Sequence, residues 1–462
     1  MRKLQLITCL LTYSLLSNSL LYAPNVLAQS ASAAVPAKPD TGPANWLAQF
    51  QAVHEAGTTI LLSQRDKVLQ QETLGMASLE LAVPLQARHL FRIGSISKTF
   101  LAVLTLQLAE QGKLDLNQAI HHYLPDIPAS WQHISTAHLL SHTSGIADYL
   151  GGPQGGYSSL RGRRLSKDEL IRLFYGWPLQ FQAGQQFIYS NSGYVVLMKL
   201  VETVSGKSFA ELLAQNITQP LQMHATYAQA QGEYIPGLVS GYTSSTQATY
   251  LSQLDGAFAD GSMVSSSADL LKFAQALLDG RLLSAASWQL MSTPYRFNDG
   301  TYSEYGYGLF IRDSQGHKLV GHGGDIFGFH SMLEIDTDTQ AVAIVLRNSD
   351  QFGARRLVNA DYLSRRMLAR ANHRPINEPQ AIELSPAQIQ ALLGDYPTPQ
   401  GVRSVRYHQG ELLTRLNQGR ESRVLAASAT DLFAPHQELR LHFTMQHGRA
   451  VAVEAHEDQG QP

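Results

Sequence analysis

Residues 91–98 read Phe91-Arg92-Ile93-Gly94-Ser95-Ile96-Ser97-Lys98. Phe100, Leu101, Leu104, Leu108 and Ala109 then recur at helical spacing, so a helix is expected over 95–112, with Gly112 as its stop. Positions three apart share a helix face, which lets the Ser95 hydroxyl meet the Lys98 amine. A serine hydroxyl becomes a good nucleophile only when a neighbour takes its proton. A lysine does this only if burial or nearby cations keep it neutral. Ser95 would also sit at a helix N-terminus, where unpaired N–H groups favour developing negative charge. Taken alone the motif is weak, because roughly one or two S-x-x-K matches arise by chance in such a chain. The plain alternative makes Ser95 a cap and Lys98 a solvated surface residue.

Two further motifs add chemistry. Of the 19 tyrosines, only Tyr189 begins a Y-x-N, as Tyr189-Ser190-Asn191. It reads either as a polar turn with Asn191 capping the next helix, or as a phenol that shuttles protons beside an amide that donates to a substrate carbonyl. His322-Gly323-Gly324 follows a strand expected at 318–321. It reads either as an ordinary hairpin turn or as a strand edge whose glycines let an extended ligand lie close and whose N–H groups polarise a carbonyl. His408-Gln409-Gly410 is a second H-x-G, between two expected hairpin strands.

Around these motifs, 58–64 and 67–73 read as strands joined through Arg65-Asp66, and 307–312, 318–321, 329–335 and 341–346 as later strands. Residues 136–141, 168–174, 193–204 and 267–279 read as helices, and Gly151 to Gly162 as a surface loop. Strands at both ends with helices between imply an antiparallel sheet closed by the two ends of a domain over 45–370. Residues 371–385 read as a linker. Residues 386–462, with segments at 402–407, 411–415, 422–426, 438–444 and 449–454, read as a small β-module.

The 462 residues carry 35 Lys+Arg against 37 Asp+Glu, a net charge of −2, so no basic excess exists to attract nucleic acid. Arg2 and Lys3, the apolar run from Leu4 to Leu21 and Val26-Leu27-Ala28 read as a signal peptide over 1–28, cleaved after Ala28. Polar residues interrupt that run too often for a good membrane span. Cleavage would remove Cys9, the single cysteine, and leave a cysteine-free chain suited to the periplasm or the exterior. Residues 29–44 read as a flexible lead-in.

S-x-x-K, then Y-x-N, then H-x-G is an order that resembles the serine β-lactamase and DD-peptidase superfamily, in its class C-like branch. That branch also holds penicillin-binding proteins, D-aminopeptidases, alkaline D-peptidases and carboxylesterases. Leu139-Leu140-Ser141-His142-Thr143-Ser144-Gly145 is similar to its "LLxHTSG" segment. Phe181 to Asn191 is similar to "F-x-PG-x-x-F-x-YSN", with Ala183-Gly184 in place of Pro-Gly, and Gly261 to Asp269 to "G-x-x-S-x-x-x-D". The resemblance covers about residues 45–350. It implies an α+β fold: a β-lactamase/transpeptidase-like antiparallel sheet with flanking helices, an all-helical subdomain, and the active site between them, here followed by the all-β module.

The resemblance further implies Ser95 as nucleophile, Lys98 as its activating amine and Tyr189 as general base and acid. Asn191, His322, Gly323, Gly324 and Asp325 would bind substrate, with the backbone N–H groups of Ser95 and Asp325 as the oxyanion hole. No metal or cofactor is expected, and His121, His122, His133 and His138 form no H-E-x-x-H. His142 reads as a structural helix-end residue. Histidine stands at 322 where many relatives carry the lysine of Lys-Thr-Gly, so a substrate carboxylate is expected to bind less well. Asp325, if it faces the cleft, would favour a cationic or neutral substrate end. The expected substrates are small peptides, amides or esters, with D-residue peptides first, carboxylic esters as the alternative, and β-lactams or a non-catalytic scaffold behind them.

Overall fold

A computed structural model describes residues 46–151, 165–228, 234–243, 260–314, 316–349, 359–374, 379–398, 401–417, 419, 421–435 and 439–457. The expected signal peptide, the lead-in, and all but the first residue of the 151–162 loop lie outside the described residues, as do residues 375–378 of the expected linker.

Six strands form the central antiparallel sheet: β1 (Thr58–Gln64), β2 (Lys67–Leu74), β3 (Phe310–Ser314), β4 (His317–Ile326), β5 (Phe329–Asp336) and β6 (Ala341–Arg347). Their order across the sheet is β2-β1-β6-β5-β4-β3, so the early hairpin pairs with the last strand. Side chains alternate between the faces of a strand, and the two faces have separate cores. Val342, Ile344 and Leu346 point into a large core with helices α1 (Ser97–Glu110), α4 (Asn191–Ser205) and α5 (Ser267–Leu278). Ala341, Ala343 and Val345 point the other way, onto α6 (Ala360–Ala371) and Trp46. That double burial explains the uninterrupted apolar run of β6. The helices between the two strand groups include α2 (Thr136–Leu140) and α3 (Lys167–Phe174), each opened by a serine whose side chain accepts from the third residue on. Phe100 of α1 stacks on Phe273 of α5, ring centroids 3.8 Å apart.

Two expectations shift. The strand expected at 307–312 begins at Phe310, because Gly306 and Gly308 are pinned to the helical layer: the Thr99 hydroxyl donates to Gly308 O at 2.9 Å, and a Cβ on Gly308 would lie 2.6 Å from that of Ala102. His322-Gly323-Gly324 does not follow a strand that ends at 321. It lies inside β4, paired residue for residue with Leu333, Met332 and Ser331. The turn comes at Phe327-Gly328, where Gly328 has φ +76°.

The C-terminal region opens on a helix, α7 (Pro386–Leu392), that its reading as purely strands did not include. Seven strands follow in a consecutive antiparallel meander: β7 (Gly394–Thr398), β8 (Gly401–His408), β9 (Glu411–Leu416), β10 (Ser422–Ala426), β11 (Asp431–Phe433), β12 (Leu439–Gln446) and β13 (Arg449–Glu457). They enclose a core of their own that includes Tyr396, Val405, Leu441 and Phe443. The hairpin turns expected at 408–410 and 446–448 are present, with positive φ at Gln409, Gly410, His447 and Gly448.

One packing constraint sets the position of α1 on the sheet. A Cβ on Gly324 would overlap the carbonyl oxygen of Ile93, and one on Gly94 (φ +53°) would lie 2.8 Å from Asp325 N. Gly324→Ala should therefore push the turn before α1 off β4, lowering the thermal midpoint through a cost of about 1–3 kcal/mol. Gly176→Ala, with nothing within 4 Å of the added carbon, serves as a neutral control.

Candidate active site

Ser95 lies in a short 3-10 turn, Gly94–Ile96, that runs straight into α1. The turn is fixed from inside: the Ser97 hydroxyl donates to Gly94 O at 2.7 Å and accepts from Met263 N at 3.2 Å. One helical turn on, Lys98 is fully buried, and its Nζ donates to Ser95 Oγ at 3.0 Å, to Asn191 Oδ1 at 2.8 Å and to the main-chain oxygen of Asp260. Three acceptors satisfy the three donors of an ammonium. Burial pulls Lys98 down to about 8, while the Asp260 and Asp148 carboxylates push it back up. The S-x-x-K spacing thus puts a lysine in contact with a serine, and the surroundings make its neutral form accessible.

Asn191 opens α4, but the cap is Ser190, whose hydroxyl accepts from Gly193 N at 3.1 Å. The Asn191 amide is engaged at both ends, since Oδ1 takes Lys98 and Nδ2 donates to Asp148 Oδ2 at 2.8 Å. A primary amide carries a second N–H beside the one given to Asp148. Tyr189 projects just before this helix. Its phenol oxygen is buried and meets no partner in hydrogen-bonding geometry among the described residues, and Lys98 Nζ lies 5.0 Å from its ring centroid. Burial holds the phenol well above its ordinary pKa, with the nearby Ser95 hydroxyl pulling it partly back.

His142 supports this tyrosine. It adopts φ +58° after α2, its Nδ1 accepts from Ser190 N at 3.0 Å, and its ring lies 4.1 Å from that of Tyr189. His322 is buried, not the exposed turn residue of the plain alternative. Its Nδ1 sits 2.6 Å from Gly323 O, which can only accept, so Nδ1 carries the proton and Nε2 accepts from Tyr305 OH at 2.9 Å. Burial, aided by the charge of Lys98, pushes His322 down to about 3. It is therefore a neutral imidazole with both nitrogens in use.

Gly324 and Asp325 bring their backbone against Ile93 and Gly94, the residues just before Ser95. The Asp325 side chain points elsewhere. It alternates to the α6 face of the sheet with its cross-strand partner His330, where Oδ1 meets His330 Nδ1 at 2.5 Å. The expectation of a carboxylate in the cleft is thereby corrected: strand alternation turns it away from Ser95. Asp148, Tyr149, Asp260 and Tyr305 escaped sequence reasoning, although Asp148 and Asp260 stand close to segments that were quoted. Among the described residues, His317, Asp336 and Asp338 bring metal-type donors within 4.8 Å of one another. Asp336 Oδ1 there already accepts from Asp338 N and Thr339 N, each at 3.0 Å, as a turn lock.

With this geometry in hand, similarity to known proteins is informative. The family model described as Beta-lactamase matches residues 44–365. Penicillin-binding protein 4* of Bacillus subtilis (strain 168) is 29% identical over 315 residues, 64% of this chain and 69% of that protein. A D-aminopeptidase of Gluconobacter oxydans (strain 621H) is 25% identical over 350 residues, 74% of this chain and 62% of that protein. The crystal structure of D-amino acid amidase from Ochrobactrum anthropi SV3, complexed with D-phenylalanine, superposes with a TM-score of 0.60 at 26% identity, covering 69% of this chain and 94% of that one.

Lys98 has to be neutral to accept a proton. Acylation of Ser95 by an activated ester should therefore rise as the pH passes about 8 and level off above it. A rate that stays flat between about pH 6 and 10 would remove Lys98 from that role.

Proposed function

Since the chain belongs to the Beta-lactamase family of serine hydrolases, we propose that it works through an acyl-enzyme on Ser95 and that its substrates are small peptides or amides built on D-residues. The observation that carries the mechanism is the 3.0 Å contact between a fully buried lysine and the serine hydroxyl. In its neutral form Lys98 takes the Ser95 proton as Oγ attacks the carbonyl carbon. The negative charge on the carbonyl oxygen is met by the N–H groups of Ser95 and Asp325, a kind of donor worth about 2.7–4 kcal/mol of barrier each. Tyr189, held protonated by burial, gives its proton to the departing amine as the carbon–nitrogen bond breaks. Proton transfer from Lys98 then restores the phenol. Water then attacks the acyl carbon and loses a proton to the same pair, which returns it to Ser95 Oγ as the acyl–oxygen bond breaks.

Neutral His322 supports the substrate class. Both of its nitrogens are occupied and it carries no charge, so it offers no fixed cation to a substrate carboxylate. That favours amides and amino-terminal substrates over penicillins and free-carboxylate peptides. The similarity to a D-aminopeptidase and a D-amino acid amidase supports the same reading. Export with cleavage after Ala28, to the periplasm or exterior, goes with it, as does a C-terminal β-module that supports packing of the whole.

The test is a panel of D- and L-phenylalanine amide, a nitrophenyl ester and a chromogenic cephalosporin, assayed on the wild type and Ser95→Ala. D-amide turnover is expected to exceed L-amide and cephalosporin turnover, and Ser95→Ala to lose at least about 10³-fold. Ester turnover without any amide turnover would replace the peptidase reading with a carboxylesterase on the same residues.

A further inference from the structure

Lys98 is a cation with no exposure to water, and burying such a charge is costly unless opposite charge and hydrogen bonds surround it. Asp260 lies against it. Its main-chain oxygen accepts from Nζ, and its own carboxylate is buried, with Oδ2 accepting from Tyr149 OH at 2.7 Å. Tyr149 is anchored in turn, its N–H donating to Ser192 Oγ on α4 at 2.8 Å. We infer that Asp260 is a positioning residue: its main-chain carbonyl fixes the Lys98 amine against Ser95, and its carboxylate, held by Tyr149, supplies the negative charge against which that amine ionises. The inference rests on the Ser95–Lys98 reading above and adds a residue to it.

The groups facing Lys98 from other elements are few and mostly neutral. From α4 and the residues before it come Tyr189, Asn191 and Tyr194, whose ring centroid lies 5.6 Å from Nζ. His142 comes from the end of α2 and His322 from β4, and burial holds both well below their ordinary pKa. Negative charge comes from Asp260 and from Asp148, which is half-buried and already takes the Asn191 amide and Leu150 N. Solvent screens a half-buried carboxylate more than a buried one. Burial raises the Asp260 carboxyl, while Lys98 and the Tyr149 hydroxyl pull it back toward its charged form, and Asp260 acts on Lys98 ahead of Asp148.

The experiment is the pH dependence of Ser95 acylation by an activated ester, measured for wild type, Asp260→Asn, Asp260→Ala and Asp260→Glu. Asparagine and alanine keep the main-chain carbonyl and delete the charge. An ammonium that loses its counter-ion releases its proton more readily, so the rising limb should move to lower pH by about one unit. At a pH below the limb, Asp260→Asn should then keep up to about tenfold more of its own plateau rate than the wild type does. Asp260→Glu should return the limb toward the wild-type position. A limb that stays put in folded Asp260→Asn or Asp260→Ala, whatever happens to the plateau, overturns the inference. If those variants do not fold, the wild type still decides. A buried pair is not screened, so its limb should be insensitive to salt, and a limb that moves with ionic strength belongs to an exposed group and overturns the inference. Ser95→Ala separates the two levels: full ester turnover there removes the Ser95 reading itself, whereas an inactive Ser95→Ala beside an unmoved Asp260→Asn limb removes only the role of Asp260.

Discussion

A single buried ammonium organises the centre of this molecule. Lys98 satisfies its three N–H bonds with a side chain in the turn that leads into its own helix, another on α4, and a main-chain oxygen just before Gly261. Each is supplied by a different part of the chain, so the helical layer has to be assembled before the lysine can be buried. Asp148 and Tyr149 tie a fourth segment into the same network. The arrangement costs desolvation energy, which the carboxylates and acceptors offset. What remains is an amine whose proton is loosely held, which a nucleophile's neighbour requires.

The second constraint is steric. Glycines at 94 and 324 let the turn that carries Ser95 lie against β4 closer than any side chain would permit. On the sequence Gly323 and Gly324 read as following a strand that ends at 321, whether as a turn or as a strand edge, and that put the end of the strand in the wrong place. They serve close approach inside a continuous strand instead. Strand alternation then decides which neighbours face Ser95. His322 does, and locks with Tyr305; Asp325 does not, and joins His330 on the far side.

Much of this was legible because it is local. The long helices and strands followed their apolar periods to within a few residues, and the early strands were rightly expected to pair with the late ones. The S-x-x-K spacing carries its geometry within itself. The helix at 386–392 was also there to be read, since Ser385 caps it, Pro386 opens it and Gln388 closes the capping box. Asp148, Tyr149 and Asp260 were not readable, because they reach Lys98 through space and no spacing rule joins residues 98, 148 and 260. The charge state of His322 was equally hidden, since it depends on burial and on Tyr305, which only the folded chain brings to its side. Ser190, and not Asn191, caps α4 because capping depends on local backbone geometry that the two residue types share.

The central sheet joins its two ends late. Gly57 donates to the side chain of Asn348, 291 residues further on, and β1 cannot find its inner neighbour until β6 exists. Pairings so distant in sequence close slowly, because a long loop must be ordered before any contact rewards it. The Ser95 turn packs on β4, one of the last strands of that sheet to be synthesised. A growing chain therefore carries Ser95 for roughly half of synthesis without the strand on which its turn packs. On the Ser95 reading proposed above, the serine gains its surroundings only when that strand is in place, so an unfinished chain would be chemically silent.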